Sequence, residues 1–375
     1  MVPPVVDPQF GARLRELRQR RGLSLRDLGR SAISNRTTVW EIETGRAAPT
    51  MELARRLDDA LGACGRLTAL VVDESALLNP DDRDRLAAVR RDPRRVDRTA
   101  VDSLAAVLTG QRRLEDAVGS AAVLVPVHAQ MVAVEALADQ ARGRVRNSVL
   151  DVGAQWAQFA GWLSANTGQL TDARSWYLTA LGWATETGDA NMIATALNMR
   201  GHLAWLTAAP GPLIGLSAAA ARQPASPGVL ALAAQQEARG HALLGEADDV
   251  DRLLDRAVEL SDTAAHHPDN EPPWIYFHSP DYLRLQRGLA YRLLGRHDEA
   301  IALLTAGLAA IPPEGRRSEW AATYMAELAL TLLAMGDRSG AAGAAAEVTD
   351  IARATGSTRL VQVAARLRLR LADAG

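Results

Sequence analysis

Asn35-Arg36-Thr37-Thr38-Val39-Trp40-Glu41-Ile42-Glu43-Thr44-Gly45-Arg46 is the stretch on which the reading of this chain turns. Asn35 sits where a helix N-cap belongs, and Gly45 supplies the left-handed residue that ends the helix. Val39 and Ile42, three apart, share one side; Arg36, Thr37, Trp40, Glu41 and Thr44 point away from it. An apolar side that anchors and an opposite side of hydrogen-bonding groups suit a helix laid in the major groove of a duplex. Working outward, a first helix runs through Phe10, Leu14 and Leu17 and stops at Gly22. Ser24 caps a second, short helix that begins with Leu25 and Leu28. Pro49-Thr50 opens a fourth, through Leu53, Leu57 and Leu61 to Gly62. A fifth is expected after Gly65, carrying Leu67, Leu70 and Val71. The expectation is a compact five-helix head.

Leu23-Ser24-Leu25-Arg26-Asp27-Leu28, the Asn35–Arg46 stretch, Pro49-Thr50-Met51-Glu52-Leu53 and Leu57-Asp58-Asp59-Ala60-Leu61-Gly62 follow in order with few gaps. Together they resemble the phage-repressor-like helix-turn-helix family, also called the XRE family, over about residues 9–72. The resemblance implies roles by position. Ser24 would bond a phosphate. Asn35, Arg36, Thr37 and Glu41 would face bases or flanking phosphates, and Thr44 and Arg46 would grip the backbone. Trp40 would stack on sugar or meet a thymine methyl. Arg18 and Glu43 match a family pair that forms an ion pair inside the domain. Two departures stand out: Ile33 occupies the turn position usually held by Gly, and Ser34 follows where an apolar residue is usual. They leave open a distorted turn or a register shifted by one.

Composition sets the frame. The 375 residues are 48% apolar with a formal net charge of −2. Alanine and leucine dominate and aromatics are scarce, which favours helix over sheet. Residues 1–56 nevertheless hold eleven Arg against six acids, a basic head on a neutral-to-acidic body. All 42 basic residues are Arg, so P-loop and Schiff-base chemistry, which need Lys, are excluded. Cys64 is the only cysteine, read as a small buried apolar residue in a reducing cytoplasm. No Cys/His pairing, metal-ligand spacing, Ser-His-Asp order or phosphate loop is found, so neither an enzyme nor a cofactor or metal site is expected. His266-His267 before Pro268 reads as a loop pair without partners. The start carries no signal-peptide pattern, and the apolar run near Ala121–Val127 is too short to span a bilayer.

Residues 75–100 mix Arg and Asp between Pro80 and Pro93 and read as a solvated connector. The expected domains are thus residues 1–78 (helix-turn-helix), 79–99 (linker) and 100–375 (helical repeats). In the last, a helix end, tight turn and helix start recur at Thr167–Ala173, Leu244–Val250, Leu294–Ala300 and Met335–Ala341, with a weaker copy at Thr207–Leu213. Gly161, Gly201 and Gly288, each seven residues before a turn position, would let paired helices approach closely. Turns spaced about 34 to 50 residues apart resemble tetratricopeptide repeats over about 150–355. The fold class is therefore all-α: a helix-turn-helix head followed by an α-solenoid of tetratricopeptide-like hairpins.

First-helix residues of stacked hairpins line the concave side. The inward positions are Gln155, Gln158, Trp162, Asn198, His202, Trp205, Gln235, Arg239, Tyr282 and Arg292. Asn and Gln can bond an extended peptide's backbone, and Arg can hold a carboxylate. Pro272–Pro280, with three aromatics between prolines, reads as a plug between hairpins in preference to a lid. Head and tail together look like regulators common in high-GC Gram-positive bacteria, and resemble in layout peptide-pheromone receptors of other Gram-positives. That resemblance implies a cytoplasmic, nucleoid-associated homodimer on a double-stranded operator, with no membrane role. Its repeats would sense a peptide or small-molecule effector; the alternative is that they bind a protein partner.

Overall fold

Side-chain caps set where the head's helices begin. In α2 (Leu25–Ser31) the Ser24 side chain accepts from Asp27 N. In α3 (Arg36–Glu43) Asn35 accepts from Thr38 N, and in α4 (Met51–Leu61) Thr50 accepts from Leu53 N. Each cap satisfies a backbone donor that the helix itself cannot. With α1 (Phe10–Arg20) these helices bury Phe10, Leu14, Leu28, Val39, Ile42, Leu57 and Leu61 in one core. The computed structural model describes residues 5–6, 10–47, 49–63, 67–68, 71–72, 80–312 and 315–373. Cys64 and Leu70, assigned above to a buried site and to a fifth helix, lie outside the described residues.

The expected fifth helix is corrected. Leu67 and Val71 do join the core, but Val71–Val72 is a strand, β2. It pairs antiparallel with β1 (Val5–Val6), Val5 opposite Val72 and Val6 opposite Val71. Two β-branched pairs favour extended backbone. Buried Asp58 turns the chain toward them, its carboxylate accepting from Leu67 N at 2.6 Å and Thr68 N at 3.0 Å. Among the described residues every other regular element is a helix.

The α2–α3 turn is neither distorted nor shifted in register. Ile33 N donates to Arg30 O and Ser34 N to Gly29 O, the paired bonds of a Schellman ending. Ile33 therefore takes the left-handed position, at φ +51°, with its side chain 78% exposed. The α3 ending repeats the pattern with a glycine: Gly45 at φ +71°, its N–H on Ile42 O and that of Arg46 on Glu41 O.

The chain divides into two compact units, Met1–Val152 and Gly153–Gly375. In the first, the segment read as a solvated connector contains a helix, α5 (Pro80–Arg91), which buries Leu86 and Val89 and packs on α6 (Arg98–Val118). The next helix, α7 (Ser120–Gln140), packs on α6 and carries Pro126 within it. It is a longer apolar element than the run near Ala121–Val127 suggested. Its 21 residues hold an 18-residue stretch of mean hydropathy 1.6, long and apolar enough by length and composition to cross a membrane, but half of that stretch is buried inside the protein.

The second unit continues from α8 (Arg144–Asn166) as antiparallel pairs: α9 (Leu170–Thr187), α10 (Ala190–Leu206) with α11 (Pro210–Ala221), and α12 (Pro227–Leu244) with α13 (Ala247–His266). Next come α14 (Pro280–Leu293) with α15 (His297–Ala310), α16 (Glu319–Ala334) with α17 (Arg338–Thr355), and α18 (Thr358–Asp373). Gly168, Gly245, Gly295 and Gly336 hold positive φ at the turns, and Ala208 does so in the weaker copy. The close approaches fall at the expected residues. A Cβ at Gly161 would stand 2.5 Å from Tyr177, one at Gly201 3.0 Å from Ser217, and one at Gly288 2.8 Å from Leu304. The first helices also pack on one another, α10 on α12, α12 on α14 and α14 on α16. They form an inner row.

Candidate nucleic-acid interface and a buried polar cluster

In the head, α3 turns Val39, Ile42 and Glu43 inward and leaves Asn35, Arg36, Thr37, Trp40 and Thr44 exposed, with Glu41 half-buried. The helix is locked to α1 by charge. Arg18 Nε donates to Glu43 Oε1 at 2.6 Å and Arg18 Nη2 to Glu43 Oε2 at 2.8 Å; Nη1 reaches Leu23 O at 2.9 Å. The Glu43 side chain is 1% exposed and that of Arg18 12%. Its hydrogen bonds to the Glu43 carboxylate raise the Arg18 pKa further. Gly11 makes the approach possible, since a Cβ there would lie 2.9 Å from Glu43 O.

Several groups expected to meet DNA have internal duties as well. The Ser24 hydroxyl donates to Asp27 Oδ2 at 2.5 Å and lowers that carboxyl's pKa, so its proton is not free for a phosphate. Asn35 Oδ1 accepts from Thr38 N at 2.8 Å, leaving its NH2. Thr44 Oγ1 donates to Trp40 O at 2.8 Å. The Arg46 guanidinium lies over the Trp40 ring, 4.6 Å from its centroid. Arg36 is exposed at the helix start, beside the first N–H groups of α3.

In the second unit the inner row gathers most of the expected ligand residues. On α10, His202 meets Trp162 of α8, ring centroids 5.9 Å apart, and Trp205 lies under the Arg239 guanidinium at 5.4 Å. Arg239, on α12, is 6% exposed. It donates to Gln286 Oε1 at 2.9 Å, to Gln236 Oε1 at 3.0 Å and to Tyr324 Oη at 3.5 Å. Gln286 also donates to Tyr324 Oη. Tyr282 packs edge-on against Phe277 and Tyr324. Arg239 was read as a grip for a ligand carboxylate; its N–H groups instead hold three helices together. Arg292 forms an ion pair with Glu327. Gln158 is buried on α8.

Asn198 Oδ1 and His202 Nε2 on α10, and Gln235 Oε1 and Gln236 Nε2 on α12, are buried and meet no hydrogen-bond partner among the described residues. Burial, then the charges of Arg239 and Arg359, push the His202 pKa down to about 3. The imidazole is neutral at physiological pH. The sequence reading missed Gln286 and Tyr324. Gln286 lies four residues after Tyr282, one helical turn along the same face, and that spacing was the available signal.

The aromatic segment is a plug. Trp274 and Ile275 are buried with Val229 and Leu232, and Trp274 Nε1 donates to Thr195 Oγ1 at 3.0 Å. Glu271, just before it, accepts from Ser226 Oγ at 2.6 Å and Gly228 N at 3.0 Å, capping α12. His266 and His267 are exposed, and His266 Nδ1 lies 2.6 Å from Asp262 O.

No curated protein matches the chain in sequence. Among solved structures, Bacillus thuringiensis PlcR in complex with the peptide PapR7 and DNA aligns with 96% of this chain and 98% of its own, at 13% identity. The TM-score is 0.29, too low to carry an argument. Residues 9–71 match the family described as a helix-turn-helix domain, and the head of this chain is a helix-turn-helix, DNA-binding domain.

Proposed function

We propose that the protein is a sequence-specific transcriptional regulator of the cytoplasm and nucleoid. Its head reads double-stranded DNA, and its helical-repeat unit senses a small ligand or peptide and mediates homodimerisation. The observation that carries the reading is α3: Asn35, Arg36, Thr37 and Trp40 exposed on one face, the opposite face pinned by Val39, Ile42 and the Arg18–Glu43 pair. Sensing is supported by Asn198 Oδ1, His202 Nε2 and Gln235 Oε1, which are buried and meet no hydrogen-bond partner among the described residues. Such groups cost free energy until something bonds them. Dimerisation is the economical way for one short helix to specify a site, with half-sites about 10 bp or a multiple apart.

The test begins with selection of bound duplexes from a random pool by the full-length chain. A recovered two-fold motif, bound more tightly than its scrambled form, is expected; recovery of no motif refutes sequence-specific reading. Light scattering of the full-length chain should give twice the chain mass. Extract of the producing cell should then change affinity for the selected duplex, and Asn198→Ala should abolish that change while leaving binding without extract intact. A variant that responds like wild type would remove the assigned ligand site.

A further inference from the structure

Trp40 lies on the exposed face of α3, between Arg36 and Thr44, and a large apolar ring there invites a base-reading role. The geometry around it points elsewhere. The Schellman ending of α3 fixes the path of the next two residues, with Gly45 left-handed and Arg46 N bonded back to Glu41 O at 2.8 Å. This ending brings the side chain after the glycine onto the last turn of its helix. That side chain is Arg46, and what it meets is the indole of Trp40, 4.6 Å from guanidinium carbon to ring centroid. Arg46 is exposed, and no hydrogen bond or ion pair to its guanidinium is found among the described residues. An arginine on a chain with four rotatable bonds is thereby held in one place with its N–H groups open to solvent. A guanidinium stacked on an aromatic face keeps its in-plane donors, because the ring takes only its flat side.

We infer that Trp40 is a positioning residue for Arg46, and that the pair forms a preorganised phosphate-binding element at the end of the recognition helix. The inference rests on the DNA-binding reading above. Trp40 acts on the DNA backbone through Arg46 and contributes no base preference of its own. The ligand is a phosphodiester oxygen, which the fork of Arg46 meets in two hydrogen bonds. Thr44 supports the element from beneath: its hydroxyl bonds the Trp40 and Glu41 carbonyls at 2.8 and 3.2 Å and steadies the helix end.

The experiment uses the full-length chain and two probes, the duplex selected by the wild-type protein and a scrambled duplex. Trp40→Phe keeps an aromatic face; Trp40→Leu keeps apolar bulk without one. Leucine is expected to weaken both duplexes alike, by about two- to five-fold, while phenylalanine retains most of the affinity. Arg46→Ala should lower the slope of log affinity against log salt by about 0.9 on both duplexes. Trp40→Leu added to Arg46→Ala should cost nothing further. A loss confined to the selected duplex, or a full additional loss in the double variant, would show that Trp40 reads a base and would overturn the inference. Equal affinity of the Leu and Phe variants would do the same, by reducing the ring to bulk. A wild-type chain that binds neither duplex overturns the DNA-binding reading itself, a result distinct from all of these.

Discussion

Replacing Ile33 by glycine should stabilise the head. Ile33 is the left-handed residue of the α2 ending, at φ +51°, where a β-branched side chain crowds its own backbone. Holding an L-residue there costs about 1–2 kcal/mol. The side chain is 78% exposed, so its removal forfeits little burial. Glycine relieves the strain but gives back about 0.4–1 kcal/mol through the greater freedom of the unfolded chain. The net gain is about 0.5–1 kcal/mol, with the Ile33→Arg30 and Ser34→Gly29 backbone bonds intact. Native-state hydrogen exchange on the full-length protein reads this directly. Amides of α2 and α3 should exchange about two- to five-fold more slowly in Ile33→Gly, while those of α10–α17 stay unchanged. Unchanged or faster exchange in the head would refute the reasoning. It would mean that the isoleucine gains from contacts outside the folded head more than its backbone loses.

Glu43→Ala should lower the stability of the head by about 2–4 kcal/mol, because it strands the Arg18 guanidinium, 12% exposed, without its carboxylate. The same exchange measurement, or loss of a resolved melting transition, checks it; a change under 1 kcal/mol would mean water replaces the partner. Gly288→Ala should cost about 1–3 kcal/mol, since the new Cβ meets Leu304 at 2.8 Å and its backbone N at 3.2 Å. Faster exchange limited to α14 and α15 is the expected signature, and an unaltered pattern would show slack that the structure does not have. Arg36→Ala should weaken binding to the selected duplex by about 1–3 kcal/mol and relax discrimination at one base position. An equal loss on scrambled DNA would assign Arg36 to phosphate.

What could be read from the sequence is what short-range chemistry dictates. Ser24 and Asn35 are caps because a side-chain oxygen three residues from a backbone N–H closes a small ring whatever surrounds it. Gly161, Gly201 and Gly288 could be placed because the turns gave a register and the absence of a Cβ has one geometric meaning. The missing fifth helix is a failure of range. Val71 and Val72 pair with Val5 and Val6, far away in the chain, and two β-branched residues are too short a run to announce a strand without that partner. The partners of Arg239 show the same limit of range. Its inward position was legible, but Gln286 and Tyr324, which occupy its donors, lie 47 and 85 residues away. The resemblance to a family located Ser24, Thr44 and Arg46; it could not tell which of their donors the fold had already engaged.

That difference between Arg239 and its neighbours decides how the second unit would respond to a ligand. A bonded, buried cation holds α12, α14 and α16 in one arrangement and resists change. The orphaned acceptors lie on α10 and α12, which pack on one another and each approach α11 closely, at Gly201 and at Gly240. A buried acceptor left unmet costs about 1–3 kcal/mol. A ligand that satisfies Asn198 or Gln235 in only one packing of α10 on α12 therefore has enough differential free energy to shift it. A tenfold effect on DNA affinity needs about 1.4 kcal/mol, within what one such bond supplies. The side chain to leave in place when testing this is Arg239, because its loss would loosen the frame against which the shift is measured. Asn198 is the one to change: its amide oxygen is buried and meets no partner among the described residues, so alanine there should leave the unliganded unit as stable as before or more so, and remove only the response. An Asn198→Ala protein that melts several degrees lower would show that the amide already serves the fold, and the sensing role would have to move to Gln235 and His202.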